Sequence, residues 1–284
     1  MRPNAEILGL PKGTETLLRD LVHERAGLFF DDGRLDVLME KLSPLVIKRG
    51  FSSFLDYYYL LKYDEKAGDE WINVMNALSV SETYFWREID QVHALVRTIL
   101  PRWVADHPGK TFRIWSAACA TGEEPLTIAM ALQEQGWFDR VSIEINATDA
   151  STVAIEKARA GIYRERAFRS LSPERWEKYF RAETSATWRV RPDIQARIRY
   201  GVANLVHESA IAALATADAI FCRNVFIYFS PASITRVVRS FESLMPVPGY
   251  LFVGISESLM RLTSDLVLEN VDDAFVYVKE SHGR

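Results

Sequence analysis

The chain reads as an all-helical N-terminal part followed by an α/β part, and three observations lead there. Up to about residue 95 apolar residues recur at helical spacing and nothing alternates with period two. From about Lys110 strand-like runs alternate with helical ones, the grammar of a mostly parallel sheet covered on both faces. The last two strand-like runs, "LVLENV" and "FVYVKE", have no helix between them, so an antiparallel pair is expected at one edge. The domains expected are 1–95 and 96–284, with a small antiparallel β-subdomain inserted at 183–203.

In the first part, "ETLLRDLVHERAGL" sets Leu17, Leu18, Leu21 and Val22 on a helical stripe, and "RLDVLMEKLSPLVIKRG" continues the pattern to Gly50. Pro44 is expected to kink or split that second helix. "FSSFLDYYYLLKY" and "DEWINVMNALSV" read as further short helices, with Ser52 or Ser53 as the cap of the former. In the second part "TFRIWSA" is a strand, "EEPLTIAMALQEQG" a helix closed by Gly136, "VSIEINATD" a strand and "ASTVAIEKARAG" a helix closed by Gly161. "ADAIFC", a helix over 230–245 and "GYLFVGIS" follow. In "TWRVRPDIQARIRYGVANL", Trp188 and Val190 alternate with arginines, as do Ile198 and Tyr200 beyond Pro192. This reads as a hairpin; a helix over 193–200 is the alternative.

Composition bounds the function. With 284 residues, 48% apolar and 25% charged, the chain is an ordinary globular protein. A net charge of −4 argues against a general nucleic-acid binder, which needs a basic face. No apolar run is long enough for membrane insertion and no leader is seen near Met1, so a cytoplasmic location is expected. Cys119 and Cys222 form neither a disulfide framework nor a metal cluster, and no metal is expected.

The turn "IWSAACATGEEP" carries the chemistry. Phosphate-binding turns use several glycines so that backbone N–H groups approach the ligand closely. Here only Gly122 is present, and Glu123 and Glu124 open the helix where a phosphate would rest. They would repel a pyrophosphate, although simple compensation of the helix dipole is an equally good reading of either. A cationic adenosyl ligand without phosphate satisfies the pattern, and S-adenosyl-L-methionine is such a ligand. Asp149 ends the second strand 27 residues after Gly122, placed either to bind ribose hydroxyls or to cap the helix near Ser151. "FCRNVFIYF" leaves Arg223 and Asn224 beyond an apolar run, at the sheet edge where open α/β sheets bind ligands, with Tyr228 shortly after.

The stretches "SETYFWRE", "WSAACATGEEP", "ATDAS", "EKARAGIY", "ANL", "AIFCRNVFIYF" and "GYLFVGISES" occur together, in order, over residues 15–278. On these the chain resembles the CheR-type chemotaxis receptor methyltransferases, which esterify chemoreceptor glutamates with S-adenosylmethionine. The resemblance implies a Rossmann-like S-adenosylmethionine-dependent methyltransferase fold behind a small helical domain. It implies that Ser81, Thr83 and Arg87 contact the cofactor, with Arg87 nearest the chemistry. Ala117 belongs to the binding turn, Glu123 or Glu124 to the methionine part and Asp149 to the ribose. Asn204 and Leu205 flank the adenine, and Arg223 and Asn224 line the pocket beneath Tyr228, the second candidate catalytic residue. An ordinary ion pair with Glu88 or Asp90 is the other reading of Arg87. Against the family pattern, Ser81 replaces an asparagine, Trp86 a phenylalanine and Ile255 a histidine.

A glutamate acceptor, with a pKa of about 4.3, is already ionised at neutral pH, so no general base is needed. None of the five histidines (His23, His93, His107, His207 and His282) falls in a motif. The partner implied is the coiled coil of a chemoreceptor, facing a basic stripe of Arg34, Lys41 and Lys48. Residues 1–95 nevertheless hold 11 Lys/Arg against 16 Asp/Glu, so a solvated mixed-charge face is the other reading. Tethering to a receptor-tail pentapeptide is not expected, because "RAETSATWRV" is short and has no glycine. A monomer is expected. Another protein or small-molecule acceptor, or a non-catalytic cofactor-sensing module, are the competing functions.

Overall fold

The computed structural model of the chain describes residues 8–65, 67–260, 262 and 265–280. The outer ends of the expected domains, and His282, lie outside the described residues. Four helices come first: α1 (Thr14–Ala26), α2 (Leu35–Lys48), α3 (Phe54–Tyr63) and α4 (Ala67–Leu78). They close over their own core of Leu18, Leu38, Leu42, Phe54, Tyr57 and Val74. Ser53 caps α3, its side chain accepting from Leu55 N. Pro44 does not split α2. A proline leaves the carbonyl four residues earlier without its usual donor, and the Ser43 hydroxyl donates to Glu40 O at 3.0 Å instead.

The chain then runs through α5 (Ile89–Ala94), a π-helical stretch (Leu95–Ile99) and α6 (Leu100–Asp106). Phe85, Trp86, Val92 and Leu95 pack into the core of the α/β part, so residues 85–95 belong there and not with the helical unit. The expected boundary at 95 followed the helical pattern, but these residues turn their apolar side chains toward the sheet.

The α/β part comprises β1 (Phe112–Ala117), α7 (Glu123–Glu134), β2 (Ile143–Asp149), α8 (Thr152–Ala160), β3 (Ile162–Tyr163), α9 (Pro173–Tyr179), β4 (Phe180–Thr184), β5 (Thr187–Val190), α10 (Pro192–Gln195), β6 (Ile198–Val202), α11 (Glu208–Ile211), β7 (Ala219–Phe221), α12 (Pro231–Leu244), β8 (Gly249–Phe252), β9 (Leu266–Val271) and β10 (Ala274–Lys279). The main sheet has the order β6-β2-β1-β7-β8-β10-β9. Its first five strands are parallel and the last two antiparallel, as the patterning predicts. Successive residues of β1 bury on opposite faces, Phe112 and Ile114 into one core and Trp115 and Ala117 into the other.

The inserted sheet departs from expectation. It is three-stranded, in the order β3-β5-β4, so Thr187–Val190 pairs with Phe180–Thr184 and with Ile162–Tyr163. The second half of the expected hairpin, Ile198–Val202, instead joins the main sheet parallel to β2. Pro192 opens the one-turn α10, which redirects the chain. The alternation of Ile198 and Tyr200 with arginines belongs to an edge strand with one buried side, not to a hairpin arm.

Candidate functional site

Strand order reverses between β1 and β7, and at such a switch point the loops leaving the carboxyl ends diverge and open a crevice. The turn after β1 and the segment after β7 line it. Ala118 and Ala120 take left-handed backbone (φ 63° and 48°), as do Gly122 (φ 94°) and Asn224 (φ 58°). Non-glycine residues in this region cost about 1–2 kcal/mol each, and such strain concentrates at functional sites. The turn thus bends as sharply as a glycine-rich one while keeping two methyl groups toward the crevice.

Two adjoining cavities fill the crevice. The larger, about 950 Å³ with its open mouth, is lined by Asp149, Asn204, Leu205 and Tyr228 from the α/β part, and by Phe29 and Met75 among others from the helical unit. The smaller, about 490 Å³ on the same measure, is lined by Thr83, Arg87, Glu124 and Arg223. Val80, Ala118, Ala120 and Asn224 border both. An elongated ligand with a largely apolar end and a charged end fits this shape.

Asp149 braces the turn between β2 and α8, whose cap is Ser151. One carboxylate oxygen accepts from Ser151 N (2.8 Å) and the other from Ala120 N (2.9 Å), while the group still borders the larger cavity. Burial pushes its pKa up against the opposing pull of these backbone donors. Asn204 donates to Arg25 O (2.9 Å) and accepts from Val206 N (3.2 Å), fixing the loop beside Leu205.

The two glutamates separate. Glu124 faces the smaller cavity, accepting from Ser116 Oγ (2.6 Å) and from Arg223 Nε (2.7 Å). Glu123 borders neither cavity; it is buried behind the turn, accepting from Thr121 Oγ1 (2.7 Å), and burial pushes its pKa up to about 7. Ala117 also borders neither cavity, because its side chain points into the core on one face of the sheet.

Arg223 is a buried hub. Besides Glu124 it donates from Nη1 to Glu88 O (3.0 Å) and Gln91 Oε1 (3.1 Å), and from Nη2 to Arg87 O (3.2 Å). It ties the segment carrying Thr83 and Arg87 to the end of β7. Arg87 itself donates to Glu82 O (3.0 Å), lies 3.8 Å from Glu88 and sits over the Tyr84 ring, with its head at the smaller cavity. Ser81 borders the larger cavity, as does Tyr228, so Tyr228 and Arg87 occupy different compartments.

Several site-forming residues escaped sequence reading. Glu257 accepts from Asn224 N (2.7 Å), Gly254 N (2.7 Å) and Ile227 N (3.2 Å), which holds Asn224 in its left-handed conformation. Asn76 of α4 caps α8 from across the crevice, accepting from Ser151 Oγ (2.8 Å) and Val153 N (3.2 Å). His23 Nε2 pairs with Ser230 Oγ (2.7 Å), the cap of α12. A lone side chain meeting a helix start 75 or more residues away leaves no local signature.

The three residues of the expected basic stripe lie at the start of α2, within it and at its end. Arg34 and Lys41 border the larger cavity, and Lys41 Nζ donates to Ala77 O (3.2 Å) and Leu78 O (3.5 Å), the last carbonyls of α4. Arg34, just before α2, and Lys48, at its far end, are exposed, while Lys41 between them is half-buried. Burial pushes the Cys119 and Cys222 thiols well up, which makes both inert space-fillers. Among the described residues no helix is long and apolar enough to cross a membrane.

Known proteins share this plan. The family described as "CheR methyltransferase, SAM binding domain" matches residues 81–274, and "CheR methyltransferase, all-alpha domain" matches residues 16–79. Chemotaxis protein methyltransferase 2 of Vibrio cholerae is 34% identical over 268 residues, covering 94% of this chain and 92% of that protein. The chemotaxis protein methyltransferase of Klebsiella aerogenes is 34% identical, covering 88% and 85%, and that of Escherichia coli K12 is 32% identical, covering 86% and 84%. The chain therefore carries an S-adenosylmethionine-binding domain over residues 81–274 behind an all-alpha one, and it belongs to the CheR methyltransferase family.

Proposed function

We propose that the protein methylates glutamate side chains of a chemoreceptor, forming methyl esters at the mouth of the smaller cavity. The observation that carries this is the pairing of compartments: an apolar one edged by Asp149 and a polar one holding Glu124, joined past Ala118 and Ala120. Asp149 receives the ribose hydroxyls, and Asn204, Leu205 and Ser81 border the adenosine. Glu124, held by Ser116 and Arg223, receives the ammonium of the methionine part. Bound there, S-adenosylmethionine would supply a sulfonium methyl group to an acceptor carboxylate oxygen and leave as the neutral thioether S-adenosylhomocysteine.

The chain's own task is alignment. Arg87, tied through its backbone to Arg223, offers its guanidinium to the incoming carboxylate, and Thr83 stands beside it at the same cavity. The acceptor arrives negative and the donor positive, and transfer leaves both neutral. A water-poor crevice therefore favours the reaction without a base. Tyr228 lines the adenosine compartment and transfers no proton in this scheme.

Methyl-labelled cofactor and a receptor cytoplasmic fragment test the reading. Label released as methanol by mild base is expected; base-stable label would move the acceptor to another chemical class. Cofactor binding without any transfer would leave a sensing module.

A further inference from the structure

The face beyond β8 leaves apolar side chains uncovered. Ile255 is 83% exposed, Phe275 64% and Leu268 41%. Isolated exposed apolar residues are ordinary, but these three line one groove of about 1090 Å³, open mouth included. Its charged lining residues are all acids, namely Glu88, Asp90, Glu257 and Asp273. Glu257 is satisfied by three backbone N–H groups, and Glu88 by Asn224 Nδ2 and Ile255 N. Among the described residues Asp90 and Asp273 make no ion pair.

The groove and the smaller cavity have neighbouring walls. Glu88 lines the groove, follows Arg87 directly and bonds Asn224, which borders both cavities. A helix seated in the groove lies against Glu88, next to the Arg87 to which the acceptor carboxylate is proposed to come.

We propose that this groove docks the acceptor protein, receiving the helical stretch that flanks the methylated glutamate. An aliphatic side chain of that helix fills the space beside Ile255, Leu268 and Phe275, and a lysine or arginine lies against Asp90 and Asp273. The acceptor is thus selected by an apolar residue and a cation near the glutamate, and not by the carboxylate alone. The proposal rests on the protein-acceptor reading above.

The test uses the full chain, a fluorescent receptor cytoplasmic fragment and two variants, Ile255→Asp/Phe275→Asp and Asp90→Lys/Asp273→Lys. Each should raise the KM for the fragment and its Kd by at least about tenfold, with kcat and S-adenosylhomocysteine affinity within about twofold of the parent. The second variant changes only surface charge, so it reports even where the first fails to fold. Ester formation with unchanged KM and Kd in the charge variant would overturn the groove and leave the proposed function standing. A parent chain that binds the fragment but forms no base-labile ester, with binding lost in the variants, would overturn the ester reading and keep the groove. A parent that neither binds nor methylates the fragment removes both.

Discussion

Arg87 and Glu123 show what one side chain can decide. Arg87 borders the smaller cavity while its backbone carbonyl is held by Arg223, so truncating the side chain should leave the crevice intact. Arg87→Ala is expected to keep S-adenosylhomocysteine affinity within about tenfold and lower turnover at least about a hundredfold, measured by calorimetry and by methyl transfer. Near-normal turnover would take Arg87 out of the chemistry and leave it a contact of Glu82 and Glu88. Glu123 makes a different prediction. Its folded pKa, raised to about 7 from an ordinary 4.5 by burial, means that the native state holds a proton the unfolded chain gives up. Its contribution to stability therefore falls as pH rises from about 4.5 to about 7, and the cost, up to about 3 kcal/mol, is complete above that. Glu123→Gln should melt higher than the parent at pH 8, with the gap closing near pH 4.5; an equal gap at both pH values would contradict the buried proton. From the letters alone two adjacent glutamates at a helix start were indistinguishable. Only the packing of Tyr163 and Tyr200 behind the turn, remote in sequence, sets one of them apart.

Among the elements, those with a strong period were legible, and those whose pairing depends on distant partners were not. The four N-terminal helices and the alternating strands of the main sheet follow from apolar spacing and caps such as Ser53. The pairing of Thr187–Val190 was missed because alternation tells which side of a strand is buried, not which strand lies beside it. Pro44 does not split α2 for a related reason: the Ser43 hydroxyl supplies Glu40 O with a donor, a compensation visible only in three dimensions. The same limit hid the cap that Asn76 places on α8. That helix begins three residues after Asp149, so its start sets the loop on which the proposed ribose contact depends. Asn76→Leu removes the acceptor for Ser151 Oγ and Val153 N, a loss of about 0.5–2 kcal/mol by the cost of a lost cap. It should raise the KM for S-adenosylmethionine several-fold to about tenfold with kcat nearly unchanged. Asn76→Asp keeps an acceptor and suits the positive helix end, so it should behave like the parent. If Asp and Leu are equally impaired, the capping role is wrong.

At the scale of the whole molecule the larger cavity lies between two units that each have a core of their own. Beside the close packing of Gly27 on Val206 and Phe229, polar contacts join them at the loops around the cavity. Asn76 meets the start of α8, His23 the start of α12, Asn204 the end of α1, and Phe29 N donates to Tyr228 O (2.8 Å). The larger cavity draws its walls from both sides, with Phe29, Phe30, Met75 and Leu78 opposite Asp149, Asn204 and Tyr228. A ligand there binds only the docked arrangement and stabilises it by mass action, by about 2.7 kcal/mol at a hundredfold excess over Kd. Both units should respond together. Hydrogen exchange with saturating S-adenosylhomocysteine is expected to slow in α4 as well as in α8, although α4 belongs to the helical unit. Protection confined to α8 and the turn after β1 would mean that the helical unit stands beside the cofactor without enclosing it. Shared protection would instead make residues 16–79 part of the cofactor site, so that a substitution on the outer face of α4 that loosens its packing should weaken cofactor binding without touching the ligand.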